Sequence, residues 1–256
     1  MAGYAKDVLV DTEWVAAHLH DPAVRIVEVD ENRSLYHEAH IPGAIGLDWS
    51  DLRRPSPDEL AALLGSKGVS DEHLIVLYGD RNNWFAAAVY WYLKLHGHDA
   101  VRLMDGPREK WIWEGRPTSS QIPNHPPATF TVSAGDPSIR ALRDDVVAAL
   151  GTRTRLVDVR SPHEFAGSRI EGVTSVPWAQ AIKEDGSFRP CEELEAIYRA
   201  QGLLDGDPII ACCRIGERSA HTWFVLHELL GKQDVKNYDG SWTEWGNLVN
   251  VPIERS

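Results

Sequence analysis

The chain reads as an α/β protein built twice over: two tandem units, each a largely parallel sheet flanked by helices. Three observations predict this. First, segments recur in order. Arg25-Ile-Val-Glu28-Val-Asp30 is echoed by Arg155-Leu-Val-Asp158-Val-Arg160, and Ile41-Pro-Gly43-Ala-Ile45 by Ile170-Glu-Gly172-Val-Thr174. Asp105-Gly106 with Trp111 is echoed by Asp239-Gly240 with Trp245. A period of more than a hundred residues means duplicated domains, not a solenoid. Second, short apolar runs alternate with helical segments in both halves, as crossover connections in parallel sheets require. Third, the proline-rich polar stretch from Arg116 to Pro127 separates the copies. The expected divisions are a first domain over 1–117, a linker over 118–136 and a second domain over 137–256.

Taken in order, Arg25–Asp30 is a strand pattern that ends in acidic residues, and Leu74–Asp80 is a second apolar run. Trp84–His96 reads as a helix, with Gly97 placed as its C-cap. In the second half Arg155–Arg160 repeats the first strand and Pro208–Cys213 the later one. The helix expected over Ser219–Leu230 carries apolar Trp223, Phe224, Leu226, Leu229 and Leu230, and Gly231 follows it.

Composition narrows the function. With 43% hydrophobic and 25% charged residues the chain has ample core material. A formal charge of −12 without a basic stripe argues against nucleic acid as a partner. Three cysteines, two of them adjacent, make neither a disulfide framework nor a Cys/His metal site, and no cofactor or metal is expected. No apolar run reaches membrane length, and the first residues lack the apolar core of a secretion signal. A cytoplasmic, reducing setting is expected, where a reactive thiol is at home.

The stretch Ile209-Ile-Ala-Cys212-Cys213-Arg214-Ile-Gly216-Glu-Arg218-Ser219 joins a buried strand to a helix. Cys212 continues the strand and reads as core. Cys213 opens the polar loop, and strand alternation turns it away from Cys212. Loop N–H groups and a helix N-terminus favour thiolate over thiol, so Cys213 is the expected nucleophile. Arg214 and Arg218 are candidates to hold an anionic substrate, or one of them pairs structurally, for example with Glu217. In the first copy Asp80 stands where Cys213 would be, in a loop one residue shorter. A carboxylate cannot accept sulfur as a thiolate does, so that half reads as catalytically silent.

These residues resemble the tandem-domain rhodanese family, particularly the bacterial thiosulfate sulfurtransferases with the active loop Cys-Arg-Ile-Gly-Glu-Arg-Ser. The resemblance rests on Cys213–Ser219, His221–Leu226, Asn237–Trp245, Asn82–Ala86 and Leu103–Gly106, and covers nearly the whole chain. It implies that Cys213 attacks the outer sulfur of thiosulfate or a related small anionic donor, becomes a persulfide, and passes sulfur to cyanide, a small thiol or a protein thiol. It also implies a substrate cradle from Arg214, Ile215, Gly216, Glu217, Arg218 and Ser219, with Arg169 and Trp242 beside it; Asp158 either supports the loop by hydrogen bonds or takes an exposed or ion-paired structural role. Trp178 and Trp245 are candidates for the pocket mouth or the core. His221 lies inside the following helix and is not expected to act as a base.

Cys213 to Arg218 spans six residues, one fewer than the Cys-x5-Arg loop of related phosphatases and arsenate reductases, which disfavours phosphatase activity. Close relatives carry an insertion where this chain has only Ser168-Arg169. Some thiosulfate-using rhodaneses have arginine at the position of Glu164 and a basic residue at that of Ile215, so part of the usual sulfonate clamp is missing. Two other readings stand beside the first: a specialised persulfide carrier or carbon–sulfur enzyme using Cys213, and a non-catalytic binding module.

Overall fold

The computed structural model describes residues 3–52, 54–133 and 135–255. The first half forms strands β1 (Leu9–Val10), β2 (Val24–Asp30), β3 (Ile45–Asp48), β4 (Leu74–Gly79) and β5 (Val101–Met104). They pair parallel throughout, in the order β1-β5-β4-β2-β3. The second half forms β6 (Arg140–Ala141), β7 (Arg155–Asp158), β8 (Ser168–Ile170), β9 (Thr174–Ser175), β10 (Ile209–Cys212), β11 (Val235–Tyr238) and β12 (Ile253–Arg255). Its main sheet, β6-β11-β10-β7-β9, is again all parallel and repeats the winding of the first. The duplication read from sequence is a duplication of topology.

β8 and β12 are, among the described residues, the two strands without a counterpart in the first sheet. β8 follows the helix Pro162–Gly167 directly and pairs antiparallel with β12, Arg169 opposite Glu254. The short join Ser168-Arg169 is thus held by the chain's C-terminal strand.

The strands at the centre of each sheet carry nearly continuous apolar runs because helices cover both faces. Ile209, Ile210, Ala211 and Cys212 of β10 are all buried. Cys212 joins the core with Ala141, Leu156, Ile170, Ile210 and Trp245, as expected for it. The helix Trp84–Leu95 is buried around most of its circumference, with only Trp84 and Lys94 less than fully enclosed. The helix expected over Ser219–Leu230 begins two residues earlier, at Glu217, and runs to Trp223; Phe224–Leu229 then continue with π-type turns.

Two compact packing units result: Val8–Asp136 with Glu184–Ser187, and Pro137–Lys183 with Phe188–Ser256 and the N-terminal residues through Asp7. These differ from the expected division in three ways. The expected linker bonds the first unit: Ser119 bridges His40, Ala128 N–H bonds Gly65 O, and Thr131 N–H bonds Asp71 Oδ1. The first residues belong with the second unit: Ala5 N–H bonds Leu229 O at 2.8 Å, Tyr4 Oη donates to Arg189 O, and Lys6 pairs with buried Glu228 at 3.0 Å. Glu184–Ser187 join the first unit, where Asp185 pairs with Lys110 at 2.7 Å.

Candidate active site

In parallel sheets, ligands collect at the carboxyl ends of the strands. β10 is the middle strand of the second sheet, so the residue after it stands at the centre of that edge. That residue is Cys213, which is fully buried. Its N–H donates to Ser241 Oγ at 2.9 Å, and its carbonyl accepts from Trp242 N–H at 3.1 Å. The helix Ser241–Trp245 thereby splints the loop, aided by Thr243 N–H on Arg214 O at 2.9 Å.

The sulfur faces a ring of polar groups. Gly216 N–H points at Cys213 Sγ from 3.1 Å, Ser219 Oγ lies at 3.6 Å and Ser241 Oγ at 4.0 Å. Glu217 Oε2 stands 3.4 Å away, placed to accept the thiol proton. The tight loop depends on Gly216, whose φ of +104° is a conformation that side-chain-bearing residues rarely adopt. A Cβ there would also meet Asp239 Cα at 2.8 Å and Asp239 O at 2.9 Å. Ser219 Oγ and Asn237 Nδ2 both donate to Gly216 O, at 3.1 and 3.3 Å, and fix the same peptide.

The expectation of a thiolate-favouring loop is corrected in its net sign. Burial pushes the Cys213 thiol up, and the Glu217 carboxylate adds to this; Arg218 and the Ser219 bonds pull the other way without prevailing. Burial and the facing carboxylate thus favour the thiol form of Cys213.

Of the two roles open to Arg218, the structure shows the ion-paired one, with Glu217 and also with Glu164. Its two terminal nitrogens make a bidentate pair with Glu164 at 2.8 and 3.0 Å, and its Nε lies 3.3 Å from Glu217 Oε1. The Arg218 bonds hold Glu164 down at about 2, helped by its cap on Ser161 and opposed by partial burial. Burial works against the Arg218 charge, but Glu164, Cys213 and Glu217 outweigh it and hold the guanidinium firmly protonated. Arg214 is the opposite case: it is exposed, and its guanidinium makes no ion pair or hydrogen bond among the described residues. Ile215, half-buried, adds no charge to the loop.

Asp158 takes the ion-paired role instead of hydrogen bonds to the active loop. Its carboxylate is occupied by Arg160, at 3.0 Å from Nε and 2.6 Å from a terminal nitrogen, and both side chains are buried. Arg160 also donates to Ser168 O and lies under Trp242, 5.0 Å from the ring centroid. Arg169 pairs with Glu254 at 2.7 Å and lies over Phe165. Trp242 is half-buried and lines a cleft beside the loop. Trp245 is core, fully buried with Nε1 on Pro252 O. Trp178 packs edge-on against His221, itself buried and stacked on Phe188. Burial pushes His221 down to about 3, so it stays neutral.

Beside the loop lies a cleft of about 450 Å³ lined by Arg160, Glu164, Arg214, Trp242, Thr243 and Asn247, with Gly246. Arg160, Ser241 and Asn247 escaped sequence reasoning, although Arg160 ends the repeated strand pattern and Ser241 follows Asp239-Gly240 directly. Around the thiol and cleft, the guanidiniums of Arg160, Arg214 and Arg218 face the carboxylates of Asp158, Glu164 and Glu217 in equal number.

The first unit shows what the loop becomes without the cysteine. Asp80 is buried, and burial together with Asp30 pushes its carboxyl up to about 7. Arg81, Asn82 and Asn83 all take left-handed backbone, at φ 51°, 55° and 64°, and Asn83 Oδ1 accepts Gly79 N–H. No group of three or more His, Cys, Asp or Glu side chains is placed to hold a metal among the described residues. No helix among them is long and apolar enough to cross a membrane.

The model of the rhodanese-like domain matches residues 11–113 and again 142–248. The chain belongs to the rhodanese family. It is 49% identical to the Mycobacterium tuberculosis protein named "Putative thiosulfate sulfurtransferase", over 97% of this chain and 98% of that one. It is 47% identical to the sulfur carrier protein TtuD of Thermus thermophilus, over 99% of both. Among solved structures, the anaerobic ergothioneine biosynthesis enzyme of Chlorobium limicola with trimethyl histidine superposes at a TM-score of 0.86. Its identity is 25%, over 97% of this chain and 70% of that one. The 3-mercaptopyruvate sulfotransferase SseA of Escherichia coli superposes at 0.83 with 25% identity, over 91% of this chain and 98% of that one.

Proposed function

We propose that this rhodanese is a sulfurtransferase that moves sulfane sulfur from thiosulfate, or a related small anionic donor, through a Cys213 persulfide to cyanide or a thiol. The observation that carries the reading is the setting of Cys213 Sγ: an N–H donor from Gly216 at 3.1 Å, with the Ser219 and Ser241 hydroxyls beyond it, at the end of a central parallel strand. Such preorganised donors stabilise a sulfur anion as it forms and as it leaves. In the first half-reaction Sγ attacks the outer sulfur, the S–S bond breaks and sulfite departs with the electron pair. In the second, the acceptor takes that sulfur and Cys213 Sγ leaves. Arg214, exposed at the cleft and without an ion-pair partner among the described residues, draws in the donor anion; Arg160 and Trp242 shape the wall, and Arg218 and Asp158 hold the framework.

The names of the mycobacterial and Thermus relatives, a putative thiosulfate sulfurtransferase and a sulfur carrier protein, support sulfur transfer. A non-catalytic binding module has no use for a buried thiol with a loop N–H aimed at its sulfur. Steady-state thiocyanate formation with varied thiosulfate and cyanide tests the reading: parallel double-reciprocal lines are expected for a covalent intermediate. Intersecting lines, or no thiocyanate with either thiosulfate or 3-mercaptopyruvate as donor, contradict it.

A further inference from the structure

We propose that Glu217 is the proton acceptor for Cys213, so that sulfur transfer proceeds from the resting thiol without solvent hydroxide. The inference rests on the sulfurtransferase reading for its reaction, but not for its geometry. Glu217 Oε2 stands 3.4 Å from Cys213 Sγ, and both side chains are buried. The carboxylate's other oxygen, Oε1, lies 3.3 Å from Arg218 Nε, and Arg218 is anchored by Glu164 at the cleft. Glu217 is therefore held by a cation on one side and aimed at the nucleophile on the other. A carboxylate buried only to support Arg218 has no need to turn an oxygen toward the thiol.

The step balances without an added reagent. As Sγ bonds the outer sulfur of thiosulfate, the S–H proton passes to Glu217 Oε2 and sulfite leaves with the electrons of the broken S–S bond. When the acceptor removes the sulfur, Sγ leaves with the pair and takes the proton back. The charged groups packed about this pair are known. Arg218 lies on the same helix, and Glu164 reaches in from Pro162–Gly167. Asp239, paired with Arg140, backs Gly216, while Asp158 with Arg160 lies behind Cys212. Ser219 and Ser241 contribute neutral hydroxyls. Of the carboxylates among these groups, Glu217 is the one with an oxygen at hydrogen-bonding distance from the sulfur.

The test is the rate of Cys213 alkylation by iodoacetamide against pH, for the wild type and for Glu217→Gln, alongside the rate of sulfur loading from thiosulfate. In the wild type, exchange of the proton between sulfur and carboxylate keeps a constant thiolate fraction, so both rates should level off below neutrality. In Glu217→Gln they should fall about tenfold per pH unit, be roughly tenfold or more below wild type near pH 6, and meet it at high pH. A loss by one factor at all pH values marks a structural role and overturns the proposal, as does a plateau that survives the substitution. Glu217→Asp, which keeps the carboxylate, should restore part of the plateau. Should thiosulfate and 3-mercaptopyruvate both fail to load the wild type, the sulfurtransferase reading falls, while the alkylation profile still decides the role of Glu217.

Discussion

Replacing Glu164 by Gln separates the cost of one charge from the loss of a side chain. Gln keeps an acceptor for the capping box with Ser161, a role that Glu and Gln both fill. What it loses is the anion beneath the two terminal nitrogens of Arg218, at 2.8 and 3.0 Å. A charge-assisted hydrogen bond is worth about 1.5–3 kcal/mol against about 1 for a neutral one. The Glu164 side chain remains 31% exposed, so solvent screening reduces the difference to about 1 kcal/mol. For a chain of this size that is a melting-temperature fall of about 2–4 °C. The pH dependence follows from the carboxyl being held at about 2. Its folded-state value is depressed, so its stabilisation is present above the ordinary carboxylate range and lost as pH falls from there through about 2. Glu164→Gln should flatten that acid limb. The balance of three guanidiniums and three carboxylates becomes one net positive charge at the cleft, which should lower the KM for thiosulfate by about fivefold, or about 1 kcal/mol. Thermal melts from pH 2 to 7 and steady-state kinetics read both effects. An unchanged acid limb, or a KM that rises while stability falls as stated, refutes the charge argument.

Other predictions follow from single observations. Arg214→Ala should raise the KM for thiosulfate by roughly tenfold with no change in urea midpoint, because the guanidinium has no partner to lose. Gly216→Ala should destabilise by about 2–4 kcal/mol in urea titrations and slow sulfur loading, since the φ of +104° and the 2.8 Å contact with Asp239 Cα both resist a Cβ. His221→Phe should flatten the rise in stability between about pH 3 and the ordinary histidine range. Burial holds His221 at about 3, so the unfolded chain binds the extra proton in that window and wild-type stability climbs with pH.

Sequence pattern made the duplicated parallel sheets and the place of Cys213 legible, because both rest on local apolar runs and the strand-to-helix loop. The pairing of Arg218 with neighbouring Glu217 was legible as one alternative, but the distant partners of the arginines were not. Arg218 meets Glu164 across 54 residues and Arg169 meets Glu254 across 85, and no periodicity encodes a pairing that only tertiary approach creates. For Asp158 an ion pair was one of the readings, but Arg160 as its partner shows only once the fold turns that side chain back on it. The thiol's sign was misjudged for the same reason. Loop dipoles can be inferred from sequence, but the burial of Cys213 and the approach of Glu217 cannot. The proline-rich stretch reads as a linker by composition, yet its backbone groups bond the first unit.

The measurement that tests the central claim most directly is the intact mass of the protein after thiosulfate treatment, with Cys213→Ser alongside. A gain of one sulfur atom that cyanide or a thiol removes, absent from Cys213→Ser, is the predicted result. A stable unmodified mass with both thiosulfate and 3-mercaptopyruvate, or sulfur carried equally by Cys213→Ser, contradicts the account.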